Sequence, residues 1–187
     1  DHAGGTDMNH RRDAYTASCE MALALEKIAQ ECPSEYNTAT IGMVEVTPGS
    51  INVISGKCTF SVDIRDCDMN TKSETISHFQ KKFADIARRR GVEVEIKEIN
   101  NENPVVCDKK IGDYMRQFCK SMKISYMDLI SGPYHDSNFV SYFTNVAMIY
   151  VPSKNGISHS PDEWTDYEDI ALGTDVLVNT LIHLANE

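Results

Sequence analysis

Residues 59–66 read Thr59-Phe60-Ser61-Val62-Asp63-Ile64-Arg65-Asp66, and apolar and polar side chains alternate along them. Successive side chains of a β-strand point to opposite faces of a sheet, so the alternation predicts a strand with one buried and one solvated face. A helix is predicted soon afterwards, because Thr71-Lys72-Ser73-Glu74 has the pattern of a capping box. The apolar stripe of that helix follows at helical spacing: Ile76, Phe79, Phe83 and Ile86. Gly91 is expected to end it, since glycine accepts the left-handed conformation of a C-cap.

Segments on both sides extend this pattern. A helix is predicted over residues 12–30, where apolar side chains recur at helical spacing until Pro33. Extended chain is predicted for three further segments rich in β-branched residues: 39–46, 51–54 and 92–96. The order of elements matches a split β-α-β-β-α-β sandwich that lacks its first strand. We therefore predict an α+β domain of this kind for residues 1–103, with its first strand expected upstream of Asp1.

The polar stretch Asn100–Pro104 is the predicted linker to a second domain, residues 104–187. The first helix of that domain is marked by four apolar positions at helical spacing: Ile111, Met115, Phe118 and Met122. Strands are predicted over 125–130 and 146–151, the second as in a parallel sheet that is covered on both faces. The final helix should be capped by Thr165–Glu168 and should face inward with Ile170, Leu177, Leu181 and Leu184. These elements predict the C-terminal part of an α/β domain, because they are too few to build its sheet alone.

Composition and charge exclude several classes of protein. The 187 residues have a net charge of −10 and no Lys/Arg cluster interleaved with aromatics, so no nucleic-acid partner is expected. No apolar run reaches the length of a membrane span, so no membrane partner is expected either. The six cysteines include no C-x-x-C pair, which favours reduced core thiols in a cytoplasmic protein. Cys107 and Cys119 are accordingly assigned to core packing, and the basic run Arg88–Arg90 is interpreted as a solvated helix end.

Polar residues in turns are the candidates for a functional site, and each also has an ordinary structural explanation. His159 follows the predicted strand 146–151 at the end where α/β proteins place their sites, and Asp162 or Glu163 would support it as a metal ligand. A lone histidine in a loop is nonetheless more often a surface residue. The same ordinary explanation applies to the other candidates: His135-Asp136 in a turn, Arg65 on a solvated strand face, Asn52 beside a turn and His2 before two glycines. No P-loop, dinucleotide fingerprint, nucleophile elbow or H-E-x-x-H motif is present.

The motifs become specific when they are taken together and in order. They are His2–Ala14, Pro48–Gly56 followed by Asp63–Asp66, Ser131–Asp136, and Met148–Ser153 followed by Gly156–Glu163. This series resembles the C-terminal half of the N-carbamoyl-L-amino-acid hydrolase / allantoate amidohydrolase family, a branch of the dinuclear-metal aminoacylase and carboxypeptidase clan. The resemblance covers essentially the whole chain. It departs from the family at Ser131-Gly132-Pro133-Tyr134-His135-Asp136, where Tyr134 stands in place of a usual glycine.

The resemblance implies roles for individual residues. In such enzymes the histidine of the Gly-Ile-Ser-His-Ser-Pro segment is the last metal ligand, which corresponds to His159. The other ligands to the two divalent ions, zinc or manganese, and the general base would lie upstream of Asp1, so no metal is expected in this chain alone. Substrate binding is implied for five residues: His2, Asn52, Arg65, Gly132 and His135. The first three of these are expected to reach the active site of the neighbouring subunit.

The resemblance also implies an architecture and a reaction. Residues 1–103 would be a lid domain through which two subunits form a homodimer, and residues 104–187 would end a catalytic α/β domain. The expected function is metal-dependent hydrolysis of a carbamoyl or ureido C–N bond in a small-molecule substrate, an N-carbamoyl-L-amino acid or allantoate. A dipeptidase or aminoacylase of the same clan is the alternative among enzymes, and a dimerisation module without chemistry is the alternative outside them. The isolated chain is expected to be inactive.

Overall fold

The computed structural model describes all of residues 1–187, and these fall into two units, Asp1–Pro104 and Val105–Glu187. The first unit contains a 3-10 turn, two long helices and four short strands: Met8–His10, α1 Ala14–Gln30, β1 Thr38–Thr40, β2 Val44–Thr47, β3 Lys57–Phe60, β4 Asp63–Arg65 and α2 Met69–Arg90. The second contains three helices and a 3-10 turn: α3 Lys109–Ser121, α4 Ser137–Val140, Lys154–Gly156 and α5 Tyr167–Ala185. Mixed α and β structure with small sheets is therefore confirmed.

The core of the first unit lies between α1 and α2. Most of its buried side chains belong to the two predicted apolar stripes: Met21, Leu25, Phe79, Phe83 and Ile86. Ala87 is buried with them although it was in neither stripe. Phe83 is at the centre of this core, where the rings of Phe60 and Phe79 meet it edge to face with centroids 5.9 and 5.2 Å away. Both predicted helices of this unit are confirmed, because each pattern had a partner stripe on which to bury itself.

The two predicted strands 39–46 and 59–66 are each broken in the structure. β1 pairs antiparallel with β4 in the register Ala39↔Ile64, and β2 pairs antiparallel with β3, so that two separate two-stranded sheets form. The break has a local cause: Oγ of Ser61 accepts the backbone N–H of Met43 at 3.0 Å, where a continuous ladder would use a carbonyl. The predicted alternation across the break is retained, since Ile64 packs on the core while Asp63 and Arg65 are exposed.

Two further predicted strands of the first unit do not form. Residues 92–96 run without a strand partner, and only Val92 packs against the core. Residues 51–54 make a single antiparallel bridge, between Val53 and His2. An alternating pattern specifies which face of a strand is apolar but supplies no neighbour to pair with. The split sandwich without its first strand, predicted for residues 1–103, is therefore not confirmed.

The N-terminus of α2 differs from the prediction, whereas its C-terminus agrees with it. The helix begins at Met69, two residues before the predicted capping box, because the Asp68 carboxylate accepts the Thr71 backbone N–H at 2.8 Å and serves as the N-cap. At the C-terminus Gly91 adopts φ 66°, as predicted. The basic run before it is not simply solvated: Arg89 and Arg90 both pair with Glu20 of α1, which joins the two core helices at their surface.

We predict that Gly91→Ala destabilises the protein by about 1 kcal/mol, since a Cβ is disfavoured at positive φ. The added methyl group would also meet the Arg12 side chain at 3.3 Å, but that chain is flexible and can shift. Urea unfolding of both proteins measures the difference. Gly56→Ala is a matched control, because nothing lies within 4 Å of its Cβ position and its φ is not positive. Equal destabilisation by the two changes would contradict the prediction.

The second unit is built on α3 and α5, and its predicted strands are wrong. Residues 125–130 and 146–151 are irregular in the structure and join no sheet. The inward face of α5 was also predicted wrongly, because Leu177 is 45% exposed whereas Val176 and Thr180 are 4% and 2% exposed. Gly173, on that buried face, explains the rotation: a Cβ there would lie 2.6 Å from the Val151 side chain, so the glycine lets residues 149–151 pack directly on the helix.

The N-terminus of α5 differs from the prediction. α5 begins after Asp166, whose carboxylate accepts the Trp164 indole N–H at 3.1 Å and makes no cap hydrogen bond, so the predicted box Thr165–Glu168 does not form.

All six thiols are free, as expected. Cys119 is buried and its desolvation raises its pKa, but Cys107 is exposed, as are Cys19 and Cys67, so the prediction of core thiols is wrong for these three. No helix of the structure combines the length and the apolar character that a bilayer crossing requires.

Candidate substrate and metal residues

His2 and Asn52 are adjacent in the first unit. The backbone N–H of Ala3 donates to the carbonyl of Asn52 at 2.8 Å, and the N–H of Ile54 donates to the carbonyl of Asp1 at 2.9 Å. With the bridge between His2 and Val53, these bonds align the N-terminal segment antiparallel to the segment that follows Pro48. The side chains of His2 and Asn52 are both exposed. Two residues 50 positions apart in sequence thus present an imidazole and an amide on one short ribbon.

Hydrogen bonds within the N-terminal loop orient the His2 ring. Nδ1 of His2 accepts the backbone N–H of Gly4 at 3.0 Å, so a neutral ring carries its hydrogen on Nε2. The loop itself is held by Arg11, whose guanidinium donates to the carbonyls of Ala3 and, at 3.1 Å, Thr6. Nε2–H of His2 is therefore available to donate to an acceptor such as a carbonyl oxygen. Arg11 was part of the quoted motif His2–Ala14, but nothing in its spacing indicated this role.

Arg65 lies at the end of β4 and is held by its neighbour on the same face. Its Nε donates to Oδ1 of Asp63 at 3.0 Å and its Nη2 donates to Oδ2 at 2.8 Å. These hydrogen bonds lower the pKa of Asp63 and raise the pKa of Arg65. The Arg65 side chain remains 46% exposed. It belongs to the β1–β4 sheet, whereas His2 and Asn52 belong to the N-terminal bridge, so the structure brings together two of the three predicted residues of this unit.

The Asp63–Arg65 pair predicts a dependence of stability on pH. The pKa of Asp63 is lowered in the folded state, so the stability that its carboxylate contributes is complete above the unfolded pKa of ~3.9. This contribution is lost as the pH falls through the folded-state pKa. Asp63→Asn should remove this part of the acid destabilisation and change stability at neutral pH by less than about 1 kcal/mol, since the pair is exposed. Urea unfolding at about pH 3 and at neutral pH measures it. Glu45→Gln, an exposed carboxylate on β2, is the control, and an identical pH response in both variants would contradict the assignment.

Gly132 and His135 lie in the loop before α4. His135 is half-buried, and its Nε2 is 2.7 Å from Oγ of Ser131 and 2.8 Å from Oη of Tyr150. Its backbone N–H donates to Oδ1 of Asn138 in the first turn of α4. A Cβ at Gly132 would meet nothing within 4 Å, so packing within this chain does not require the glycine. The hydroxyls of Ser131 and Tyr150 were not identified from the sequence as partners of His135.

His159 is exposed, in a turn that needs left-handed backbone. Asn155, Gly156 and His159 all have positive φ, 57°, 68° and 56°. A non-glycine residue in that region costs of order 1 kcal/mol and requires support from its surroundings. Glu163 supplies it, because its Oε2 accepts the His159 backbone N–H at 2.8 Å. Glu163 was expected to support the imidazole, and in the structure it holds the backbone instead.

The side chains around His159 leave it as a single metal donor. No group of three or more His, Cys, Asp or Glu side chains in the chain is placed to hold a metal ion. A catalytic zinc site uses three protein ligands, so this donor set does not fit a complete catalytic site. The turn also borders a cavity of about 450 Å³ whose charged lining residues are Lys154, Asp162 and Glu163. A single imidazole therefore fits the part of one ligand and no more.

Comparison with known proteins establishes the family. Residues 5–183 match Peptidase family M20/M25/M40. The chain belongs to this family. An N-carbamoyl-L-amino-acid amidohydrolase from Pseudomonas sp. (strain NS671) is 32% identical over 181 residues, which are 97% of this chain and 44% of that protein. A ureidoglycolate hydrolase from Arabidopsis thaliana is 36% identical over 185 residues, 98% of this chain and 39% of that protein.

Two further relatives agree with this placement. An allantoate amidohydrolase from Escherichia coli (strain K12) is 30% identical over 187 residues, 98% of this chain and 44% of that protein. The crystal structure of AtUAH in complex with glyoxylate is 36% identical and superposes with a TM-score of 0.94 over 100% of this chain and 44% of that chain. The resemblance predicted from the motifs is thus confirmed. The chain spans less than half the length of these relatives.

Proposed function

We propose that this chain is part of a metal-dependent amidohydrolase that cleaves a carbamoyl or ureido C–N bond. The substrate class is an N-carbamoyl-L-amino acid, allantoate or a ureidoglycolate-like acid, in keeping with the names of the relatives. The observation that supports this most is the pairing of the His2 and Asn52 segments by backbone hydrogen bonds, which holds these two exposed residues in one short ribbon of the unit that also exposes Arg65. We propose that Asp1–Pro104 is the lid unit and that Val105–Glu187 belongs to the catalytic domain.

Each proposed substrate residue offers chemistry that this substrate class needs. The guanidinium of Arg65 matches a carboxylate with a two-pronged, charge-assisted contact. Nε2–H of His2 and the amide of Asn52 donate to the ureido carbonyl and stabilise the negative charge that develops on its oxygen. Gly132 leaves space beside the backbone, and His135 binds a polar atom of the substrate. The general base is not assigned to any residue of this chain.

His159 is proposed as one ligand of a dinuclear site whose other ligands lie outside this chain. When bound, two divalent ions, zinc or manganese, supply a hydroxide nucleophile near neutral pH and polarise the scissile carbonyl. What this chain contributes is the fixed position of one imidazole, through the turn at Asn155–His159 and the hydrogen bond from His159 to Glu163. We therefore expect the 187-residue chain alone to be inactive with either metal.

A homodimer through the first unit is proposed from its open sheet edges. β2 pairs only with β3 and β1 pairs only with β4, so every strand has one unpaired edge. Val44 on β2 is exposed together with Met43 beside it, and exposed apolar edges are sites of strand pairing between chains. Sedimentation equilibrium should show a dimer that Val44→Lys weakens. A wild-type monomer at high micromolar concentration would contradict it.

A substrate panel tests the proposed reaction in a protein of the relatives' full length. We expect hydrolysis of N-carbamoyl-L-amino acids, allantoate or ureidoglycolate with added zinc or manganese, and much slower hydrolysis of dipeptides and N-acetyl amino acids. Preference for dipeptides or N-acetyl substrates would support a peptidase or aminoacylase instead. No hydrolysis of any substrate, with dimerisation retained, would support a non-catalytic module.

We propose a cytoplasmic location, since all six thiols are free.

A further inference from the structure

The cavity of about 450 Å³ in the second unit is lined by a single loop, residues 154–164. Its volume is in the range of sites that hold small organic ligands. Two hydrogen bonds hold the walls in place. The backbone N–H of Lys154 donates to the carbonyl of Trp164 at 2.7 Å, and the hydroxyl of Ser153 donates to the carbonyl of Ile157 at 2.6 Å. The shape of the cavity is therefore set by the chain itself.

Two side chains of opposite charge line this cavity without a partner. Those of Lys154 and Asp162 make no hydrogen bond or ion pair, with each other or with another residue. The second carboxylate of the lining, that of Glu163, already accepts the His159 backbone N–H. One free cation and one free carboxylate at the same cavity match a ligand that carries both charges.

The aromatic wall of the cavity is held in a fixed position. The indole N–H of Trp164 donates to Asp166 at 3.1 Å, and its ring meets that of Tyr167 edge to face with centroids 5.8 Å apart. Trp164 is still 49% exposed, so part of its ring is available to a ligand. Ile157 and Pro161 add apolar surface to the same lining. These three side chains match an aliphatic group.

We propose that this cavity binds a free amino acid with an aliphatic side chain. The ammonium group of the ligand pairs with Asp162 and its carboxylate pairs with Lys154, while its side chain contacts Trp164 and its apolar neighbours. An N-carbamoyl amino acid or a ureido acid carries no ammonium group, so neither of them matches Asp162. The ligand therefore differs in charge from the substrate of the proposed reaction.

The same ligand connects the cavity with the proposed reaction. Hydrolysis of an N-carbamoyl amino acid releases a free amino acid, so the ligand belongs to the class of its products. This connection rests on the proposed function, whereas binding to the cavity does not. An ammonium group in the cavity competes with the His159 backbone N–H for the Glu163 carboxylate, which gives the bound amino acid a route to inhibition.

Titration of the 187-residue chain with L-leucine tests the binding. Trp164 is the only tryptophan of the chain, so tryptophan fluorescence reports on this cavity. We expect a saturable change with a dissociation constant of order 1–10 mM, as for a small ligand in an open cavity. Isoamylamine lacks the carboxylate and 4-methylpentanoate lacks the ammonium group, and each should bind at least about fivefold more weakly. Binding of either analogue as tightly as L-leucine would overturn the inference.

Variants that remove one charge assign the binding to the cavity. Lys154→Gln and Asp162→Asn should each weaken L-leucine binding about three- to tenfold, because each loses one charge-assisted contact near solvent. Lys120→Gln and Asp175→Asn make the same changes at exposed residues outside the lining and should bind as wild type does. Calorimetric titration repeats each comparison in case the fluorescence does not respond. Equal affinity in all four variants, or no binding by either method at tens of millimolar L-leucine, would overturn the inference.

Kinetics of the full-length enzyme test the connection with the reaction separately. L-leucine should inhibit hydrolysis of an N-carbamoyl amino acid, and Lys154→Gln should raise the inhibition constant by the factor by which it weakens binding. Equal inhibition of wild type and Lys154→Gln would overturn the connection. An enzyme that hydrolyses no carbamoyl or ureido substrate would defeat the proposed function, and binding of L-leucine to the 187-residue chain would still support the cavity as a site.

Discussion

His159→Ala in the full-length protein should lower hydrolysis of N-carbamoyl or ureido substrates by more than a hundredfold. Loss of an outer partner of a metal ligand already costs about 10–100-fold in affinity or activity, and loss of the ligand itself should cost more. One of the two metal ions should also be lost or bound more weakly. The measurement pairs steady-state rates with metal content determined by elemental analysis after dialysis. Excess zinc or manganese should restore at most part of the rate.

Folding effects can be separated from this loss of activity. His159 is exposed and has φ 56°, so neither alanine nor glycine there should lower the melting temperature appreciably, and glycine relieves the unfavourable backbone conformation. His78→Ala is the matched control, because His78 is an exposed histidine on α2 without a proposed role. Full metal content and near-normal rates in His159→Ala would return His159 to the class of ordinary loop residues.

Arg65→Lys should lower kcat/KM in the same enzyme by about ten- to a hundredfold. Lysine keeps the positive charge but loses the planar fork, and charge-assisted hydrogen bonds of this kind contribute roughly 1.5–3 kcal/mol. Stability should hardly change, because the side chain is on the solvated face of β4 and its ion pair with Asp63 is exposed. Steady-state kinetics with a carboxylate substrate, together with thermal unfolding, measures both quantities.

A substrate without the carboxylate distinguishes recognition from a general defect. On the corresponding substrate amide, wild type and Arg65→Lys should have nearly equal kcat/KM. Arg88→Lys makes the same chemical change at an exposed arginine that is paired with Asp85 on α2, and it should affect neither substrate. Loss of activity through unfolding, or an equal loss on both substrates, would show that Arg65 has a structural role only.

The helices were predictable because their apolar stripes have partners within the same unit. Phe79 and Phe83 recur at helical spacing and bury themselves against α1, so periodicity and packing agree. Strands require a neighbour as well as a pattern, which explains why residues 92–96 alternate and yet form no strand. The prediction of the inward face of α5 failed for a related reason. Hydrophobicity favoured Leu177 as a buried residue, but the close approach of Val151 to Gly173 places Val176 inside.

The candidate site was predictable as a set of motifs and not as a set of contacts. The order of the motifs identified the family, and the pairing of His2 with the Asn52 segment was not apparent from either stretch alone. Tyr150 and Arg11 act through hydrogen bonds to residues elsewhere in the chain, and no periodicity records such partners. Asp63 was the exception, because strand alternation places it on the same face as Arg65 and the structure shows them paired.

One crystallographic measurement tests the central claim, that this chain contributes a metal ligand and a carboxylate clamp to an amidohydrolase. The full-length protein would be crystallised with zinc and a non-hydrolysable N-carbamoyl amino acid analogue, and the metal located by anomalous scattering. We predict an imidazole nitrogen of His159 at roughly 2.0–2.1 Å from zinc, and Arg65 on the analogue's carboxylate. Zinc bound entirely by other residues, with Arg65 distant from the carboxylate in every subunit, would contradict the account.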